Sequence, residues 1–509
     1  MMTMRGGSYD KTTMTAFVNT FNLFLFFIFS LCYMYQAVYA IIVLVKDHKR
    51  KPHPAHDLPK NRFAILIAGR NEEKVIGELV KSIKAQDYPE ELVDVFVIAD
   101  NCTDSTADVA RQAGAEVFVR NDKLVVGKSH ALDFALNRIR VLYGDEDGRT
   151  DYAAYIVFDA DNVLDPGFLA AMNRGFNQGY QVLTSYRNSK NYDSNWVSAG
   201  SGLWFLREAK FLSNARSMIG SSCAISGSGF LISADILETN GGWIHHLLTE
   251  DIEFSTDCIS NGIRIGYVPD AYIYDEQPTT MRDSWRQRMR WAKGFYQVLL
   301  KYGRDLFSGI FGGKKNRGSK FACYDMFMTI APAMLLTLAG FAANFVFCLT
   351  GIIQLASVAT QVQTVAASGA DSFAAAQAAD ANWLTTVVSL LTGSIFQGDA
   401  LSTFNTGNAS IMLSYAQARA TIVTSVISLG SCFLSFAVVM LVFGALTTFT
   451  EWHHIHAKPA AKIKYIFTFP IFMLTYVPIA LIAVFKKVEW KPIAHTVVRS
   501  ASDVVSKGH

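Results

Sequence analysis

No Cys-x-x-Cys pair occurs among the seven cysteines, Cys32, Cys102, Cys223, Cys258, Cys323, Cys348 and Cys432. Such scattered spacing argues against a zinc site and a disulfide framework, and it fits a reducing compartment or plain burial. Charge is scarce too: 17% of residues are Asp, Glu, Lys or Arg, against roughly 25% in soluble domains. The net charge of +3 and the lack of a basic stripe with interleaved aromatics exclude nucleic acid as the expected partner. The shortage of charge is uneven. It falls on the N-terminal stretch and on everything after about Phe321, while residues 50–300 have an ordinary globular composition. With 509 residues, the chain predicts at least two structural units. Nothing after residue 300 reads as an added signalling-nucleotide domain.

What the chain does have is long apolar runs. Residues 1–16 are polar and predict a flexible N-terminus. Phe17–Val45 is a near-continuous apolar run, longer than the roughly 20 residues needed to span a bilayer. No small-residue cleavage site follows it, which predicts a retained anchor. Lys46-Asp47-His48-Lys49-Arg50-Lys51 comes next and, by the positive-inside rule, puts the following globular part in the cytoplasm of a cell-membrane protein. Residues 46–62, with Pro52, Pro54 and Pro59, read as a linker. Further spans are expected within 321–485, at Phe321–Ala356, Thr421–Thr450 and Ile463–Phe485, with a loop at 357–409. Three such spans leave the tail 486–509 outside, whereas Lys486, Lys487 and Lys491 argue for inside. An extra membrane entry by Ala381–Phe396 would restore the parity, and the sequence leaves that choice open.

Between these regions, residues 63–281 alternate strand and helix signals. Strands are expected at Phe63–Ala68, Val93–Ala99, Ala115–Val119 and 155–158, with helices at 72–86, 105–113 and 128–141. Repeated β-α-β with short loops predicts an open α/β fold with a mostly parallel, Rossmann-like sheet. Polar residues gather where the strands end, the place where nucleotides bind in such sheets. From Pro166 to Asp275 the pattern loosens, with strands at Gln181–Ser185 and Gly229–Ser233. Residues 282–320 predict amphipathic interface helices, the main one over Ser284–Tyr302.

One stretch draws the rest together. Tyr155-Ile156-Val157-Phe158 runs straight into Asp159-Ala160-Asp161. Carboxylates this close repel unless a cation sits between them, and hard oxygen ligands suit Mg²⁺ or Mn²⁺. Taken alone, the pair reads as a strand ending in a solvated acidic turn, so the metal reading depends on three motifs further along the chain. Gly227-Ser228-Gly229 is a turn that lets a ligand approach the backbone. Thr249-Glu250-Asp251 precedes a helix expected at 252–260, where an acidic cap is ordinary. Gln287-Arg288-Met289-Arg290-Trp291 lies on the amphipathic helix.

These four motifs, in this order, resemble the processive family 2 glycosyltransferases, the group of cellulose, hyaluronan and chitin synthases. The resemblance covers roughly residues 60–300, with the flanking membrane helices as shared architecture. It implies a GT-A-type cytoplasmic domain joined to transmembrane helices, and a UDP-sugar donor. Asp161 is then the metal ligand, and Asp159 lies against the metal or the ribose. Arg290 and Arg288 face the diphosphate, and Lys128 matches a lysine of the family's Lys-Ala-Gly-Ala-Leu stretch, although Ser129-His130 replace Ala-Gly here. Asp251 becomes the base that deprotonates the acceptor hydroxyl, its other reading being a helix cap. Gly227, Ser228, Glu250 and Gln287 fall on the acceptor side. Trp291 becomes a platform for the acceptor sugar, its other reading being a membrane-interface tryptophan. Where many relatives have two adjacent aspartates, this chain has Ala99-Asp100-Asn101, leaving Asp100, with Asn71 or Glu72, for the base; an Asx turn satisfies the same residues.

The resemblance implies a membrane-integrated, processive, inverting hexosyltransferase that elongates and secretes a β-linked capsule or exopolysaccharide, with the growing polymer as acceptor. Similarity to capsular β-glucan synthases favours UDP-glucose, then UDP-N-acetylglucosamine. Two alternatives stay open: a transferase that adds one sugar to a lipid, and a transporter or scaffold with a regulatory nucleotide-binding domain.

Overall fold

The structure, a computed structural model, describes residues 13–47, 58–313, 318–331, 333–367, 409–489 and 495–504. The basic run from His48 to Lys51, Pro52, Pro54, Ala381–Phe396 and Lys491 lie outside the described residues. The chain divides into two compact units, Met1–Cys32 with Met334–Ala437, and Tyr33–Ala333 with Val438–His509. Helix α1 (Thr13–Lys46) contributes to both.

The second unit holds an α/β domain. It opens β1 (Phe63–Gly69), α2 (Ile76–Lys84), β2 (Val93–Asp100), α3 (Thr106–Gln112), β3 (Glu116–Arg120), α4 (Lys128–Tyr143) and β4 (Ala154–Asp159). These four strands lie within a residue or two of their expected places: β1, β2 and β4 are apolar runs buried on both faces, and β3, at the sheet edge, mixes exposed and buried residues. Phe63, Ile65 and Ile67 of β1 pack with Leu79, Val80 and Ile83 of α2 and Ile156 and Phe158 of β4. There follow β5 (Val163–Leu164), α5 (Phe168–Asn177), β6 (Val182–Ser189), α6 (Trp196–Arg207), α7 (Asn214–Met218), β7 (Phe230–Ser233), α8 (Ala234–Thr239), α9 (Glu250–Ser260) and β8 (Ile265–Asp275).

The eight strands form one sheet in the order β3-β2-β1-β4-β7-β6-β8-β5. Strands β3, β2, β1 and β4 are parallel, as are β6 and β8, while β7 runs against both its neighbours. The domain is thus of GT-A type, a mostly parallel sheet with an antiparallel insertion. From β1 the chain steps outward to β2 and β3, then crosses back to β4 on the other side. That reversal opens a crevice beyond the carboxyl ends of β1 and β4, where open α/β sheets take their ligands.

After β8 come α10 (Met281–Ile310), α11 (Lys320–Ile330), α12 (Ala333–Ala367), α13 (Ala409–Thr450), α14 (Pro459–Leu474) and α15 (Tyr476–Phe485). Among the described residues, four stretches are long and apolar enough to cross a membrane: Met14–Lys46, Leu338–Thr364, Leu413–Thr450 and Pro459–Phe485. The expected span at Phe321–Ala356 is therefore two helices, α11 and most of α12. The reason is Asp325 on α11, which accepts both arms of Arg216 from α7 at 2.7 Å and the Tyr39 hydroxyl of α1 at 2.6 Å. This buried triad makes α11 part of the α/β unit. In the other unit, Asn22 and Asn344 exchange side-chain amide hydrogen bonds at 2.9 and 2.6 Å, and small or aromatic residues close the remaining contacts.

Helices α14 and α15 are broken at Thr475. Pro478 has no N–H to offer the preceding turn, and Arg288 of α10 closes the gap: its guanidinium donates to Phe472 O at 3.2 Å and to Thr475 Oγ1 at 2.6 Å.

Removing one partner of a buried ion pair leaves the other charge uncompensated, at a cost of about 3–5 kcal/mol. Asp325→Ala is accordingly expected to lower the thermal midpoint of the purified protein by several degrees. An unchanged midpoint would show that the Arg216 triad does not hold the unit together.

Candidate active site

Both acidic residues of the Asp159-Ala160-Asp161 motif stand at the mouth of the crevice, and each is fixed by a different part of the chain. Asp159 ends β4 and receives Lys128 Nζ on Oδ1 at 2.5 Å. The same ammonium donates to Gly227 O at 2.6 Å, so the start of α4, the end of β4 and the glycine turn are locked by one charge. Burial works against the ionised form of Asp159, but Lys128, with Arg187 and Arg290, holds its carboxyl below the usual range. Asp161, buried, accepts the backbone N–H of Glu276 on Oδ2 at 2.8 Å.

Gly227 sits at φ +76°, a left-handed conformation open to glycine at no steric cost. A Cβ there would come 3.4 Å from Asp251 Oδ2 and 3.8 Å from Arg187 Nη1, filling the space those two side chains face. Ser228 is buried rather than presented to a ligand. Its hydroxyl accepts the Asp159 N–H at 2.9 Å and donates to Asn162, so the acceptor contact expected of it is replaced by a latch on the β4 turn.

Helix α9 begins at Glu250, so Asp251 lies within its first turn and the capping position belongs to Thr249, whose side chain makes no capping bond. The helix-cap reading of Asp251 is set aside. Glu250 is pushed up to about 7, by burial first and then by the charge of Asp251. Asp251 is also raised by burial, against the opposing pull of the Ile252 N–H, Lys128, Arg290 and Arg187. A poorly hydrated carboxylate whose pKa is raised is suited to take a proton near neutrality. From α10, Arg290 contributes positive charge to Asp159, Glu250 and Asp251. Trp291 meets Phe205 of α6 edge to face at 5.8 Å, and Phe205 in turn carries the Arg187 guanidinium 3.8 Å from its ring centre. Gln287 is half-buried, one turn before Trp291.

Arg288 is not in this group. It is buried, bound to the α14–α15 break and held over the rings of Phe472 and Tyr476 at 4.2 and 4.8 Å, so it is not placed for the diphosphate contact expected of it. The base-side loops also differ from expectation. Asp100 is buried, with Oδ1 taken by Arg120 at 2.6 Å and by Asn101 Nδ2 at 2.9 Å. Asn71 and Asn101 hold left-handed backbones at φ 60° and 53°, a conformation asparagine tolerates. Asn71 Oδ1 accepts Thr103 N–H at 2.8 Å, tying the two loops together. Glu72 faces the C-terminal segment, where His495 Nδ1 lies 2.9 Å from its carboxylate.

Three participants escape the motif reading. Arg187, inside β6, pairs with Asp275 at 2.5 Å and donates to Ser226 O at 2.6 Å. β6 reads Val182-Leu183-Thr184-Ser185-Tyr186-Arg187-Asn188-Ser189, a strand already half polar, so nothing local singles the arginine out. Asp275-Glu276 closes β8 as Asp159-Ala160-Asp161 closes β4, and Glu276 accepts the N–H groups of Thr496 and Val497 at 3.0 Å each. His495, with Nε2 3.9 Å from Asp161 Oδ2, has no signal in the sequence. Burial disfavours its charge, but Asp161, Glu72 and Glu276 outweigh this and push it up to about 10.

Among the described residues, no three His, Cys, Asp or Glu side chains are grouped to hold an ion by themselves. A divalent ion beside Asp161, its remaining ligands coming from a bound diphosphate, would have to displace the His495 proton; the carboxylate and the neutral imidazole then form a mixed donor set that suits Mn²⁺ at least as well as Mg²⁺.

Residues 59–294, a little under half of the chain, match the family described as glycosyltransferase like family 2. The chain is 29% identical to the probable glycosyltransferase YdaM of Bacillus subtilis, over 49% of this chain and 59% of that one. It is 28% identical to the beta-monoglucosyldiacylglycerol synthase of Synechocystis, over 51% and 53%. The poly-beta-1,6-N-acetyl-D-glucosamine synthase of Staphylococcus epidermidis is 25% identical, over 49% and 57%. The chain thus spans a little over half the length of these relatives. Among solved structures, a mannosyltransferase of Pyrobaculum calidifontis in complex with GDP-Man and Mn²⁺ overlaps 79% of this chain and 98% of its own, at 18% identity and a TM-score of 0.45.

Asp251 is raised by burial, so its ionised form is lost on acidification at a higher pH than that of an exposed aspartate, and Glu250 takes up its proton as pH falls through about 7. Release of nucleotide from a sugar-nucleotide donor is therefore expected to rise with pH across that range and then level off. Glu250→Gln removes the group raised to about 7, so the acid limb of kcat/KM then reports Asp251 alone and moves to lower pH. A limb that stays in place in the variant contradicts that assignment.

Proposed function

We propose that the protein is a membrane-integrated, inverting glycosyltransferase that uses a UDP-sugar to elongate a β-linked polysaccharide on the cytoplasmic face of the cell membrane and passes the product across it. The observation that carries this reading is the gathering of Lys128, Asp251 and Arg187 on the turn at Gly227, with Arg290 close enough to act on Asp159, Glu250 and Asp251. In a single displacement, Asp251 accepts the proton of the acceptor hydroxyl as that oxygen attacks the anomeric carbon and the bond to the diphosphate breaks. Inversion at an α-linked donor yields a β-linkage with no covalent enzyme intermediate. Lys128 and Arg290 offset the charge growing on the leaving diphosphate, stabilisation that needs no proton transfer. Asp159 keeps Lys128 aimed. Asp161 and His495 would hold the divalent ion, which when bound supplies further charge neutralisation to the diphosphate. Trp291, braced on Phe205, gives an aromatic surface for the apolar face of the acceptor sugar. UDP-glucose is the favoured donor, with UDP-N-acetylglucosamine next.

A second reading, transfer of one sugar to a lipid, is favoured by the similarity to beta-monoglucosyldiacylglycerol synthase. The two part on product length: a ladder of oligomers supports elongation, and a single lipid-sized product with stoichiometric UDP release supports the lipid reading.

Asp251→Asn is expected to cut product formation by about 10²–10⁴-fold, the usual range of general-base effects, while binding of UDP-sugar measured by calorimetry stays within a few-fold of wild type. Retained turnover in this variant would remove Asp251 from the base role.

A further inference from the structure

The apolar stretch Pro459–Phe485 has the length and composition of a fourth membrane span, yet both of its ends return to the same place. Before it, His454 stacks on Tyr272 at 5.2 Å and His456 lies 5.9 Å from Tyr274. After it, Ala501 and Val504 pack on those same two tyrosines of β8. The preceding segment is further held by Asn188, which donates to His454 O at 2.7 Å, and by Glu451, which pairs with Lys210 at 2.9 Å. The segment after it is held by Glu72, by Glu276, and by Arg499, which reaches Lys190 O at 2.5 Å and Asp193 at 3.0 Å.

A helix that crosses the roughly 30 Å hydrocarbon layer delivers its two ends to opposite sides. For the tail to come back, residues 486–494 would have to recross as extended chain at about 3.4 Å per residue. They would carry Lys486, Lys487, Glu489 and Lys491 and unpaired backbone through lipid, which excludes such a path.

The packing agrees. The inner face of α14 and α15 is buried: Phe472 lies so close to α6 that a Cβ on Gly200 would come within 2.5 Å of its ring, and Ile479 and Ala483 join Met289 of α10 in a core cluster. Along α15, Lys293 donates to Val484 O at 3.2 Å and Tyr296 to Ala480 O at 3.0 Å. The charged helix α10 therefore runs beside α15, at a depth suited to the interface and not to the bilayer centre. The outer face is apolar and bare: Phe467, Ile471, Leu481 and Phe485 are 64%, 58%, 47% and 82% exposed, with lysines at both ends of the pair. We infer that α14 and α15 do not span the membrane but form a lipid-binding face, embedded in the acyl-chain boundary of the leaflet on the catalytic side. The His495 segment then shares that side with the active site.

Three single-cysteine substitutions in the full-length protein test this with a membrane-impermeant maleimide: Asp147→Cys on the α/β domain, Ser502→Cys in the tail and Ser410→Cys at the far end of α13. Ser502→Cys is expected to react from the same side as Asp147→Cys, and Ser410→Cys from the opposite side. In addition, a fluorophore on Ile471→Cys is expected to be quenched more by nitroxides near the headgroup than by nitroxides near the chain ends. Reaction of Ser502→Cys together with Ser410→Cys, or deepest-label quenching at residue 471, overturns the inference. Should a cysteine variant fail to fold, C-terminal fusions decide the same point. A fluorescent protein active on the catalytic side supports it, and a secreted phosphatase active on the far side contradicts it. None of these readouts depends on sugar transfer, so the inference and the proposed function fail separately.

Discussion

The structure depends on keeping a crowd of carboxylates together. Glu72, Asp159, Asp161, Glu250, Asp251, Asp275 and Glu276 all stand around one crevice, and burial magnifies their mutual repulsion. Each is given a partner from elsewhere in the chain: Lys128 for Asp159, Arg187 for Asp275, His495 for Glu72, and backbone N–H groups for Asp161 and Glu276. Glu250 and Asp251 are the exception. Burial and their own proximity leave them raised, the condition a proton acceptor near neutrality requires. The cations that secure the cluster come from α4, from β6 and from beyond the last apolar helix, so the fold of the whole unit is needed to assemble it.

The first half of the sheet is legible in the sequence because each strand is a short apolar run ending in polar residues, and each helix between them shows one apolar stripe. The stretch from Pro166 to Asp275 is less so, for a physical reason. Helix α6 is buried almost all round, which erases its periodicity, and β8 is an eleven-residue strand interrupted by Pro269-Asp270 at a register shift. Among the site residues, Asp251, Arg290 and Trp291 fall where the motif order places them. Arg288, two residues from Arg290, points to another part of the helix surface and serves the α14–α15 break. Spacing along a sequence cannot separate the two arginines; the helical turn does. Arg187 and His495 are brought in by tertiary packing over long separations, and no local pattern marks them.

The membrane-facing part obeys the same electrostatic logic at lower dielectric. Arg216 with Asp325 and Tyr39, and Arg288 with the carbonyls at the proline break, satisfy strong donors that would otherwise be stranded near lipid. These contacts attach α11 to α1 and α7, and they tie α10, the helix carrying Arg290 and Trp291, to the α14–α15 break.

The central claim is that this carboxylate cluster transfers a sugar from a nucleotide donor to an acceptor hydroxyl. The most direct measurement is nucleotide release by the purified protein in lipid nanodiscs, supplied with Mn²⁺ and a panel of UDP-sugars. The account predicts steady UDP release with at least one donor, accompanied by a β-linked product that linkage-specific hydrolases digest. Binding of UDP-sugars without any release or product would contradict it.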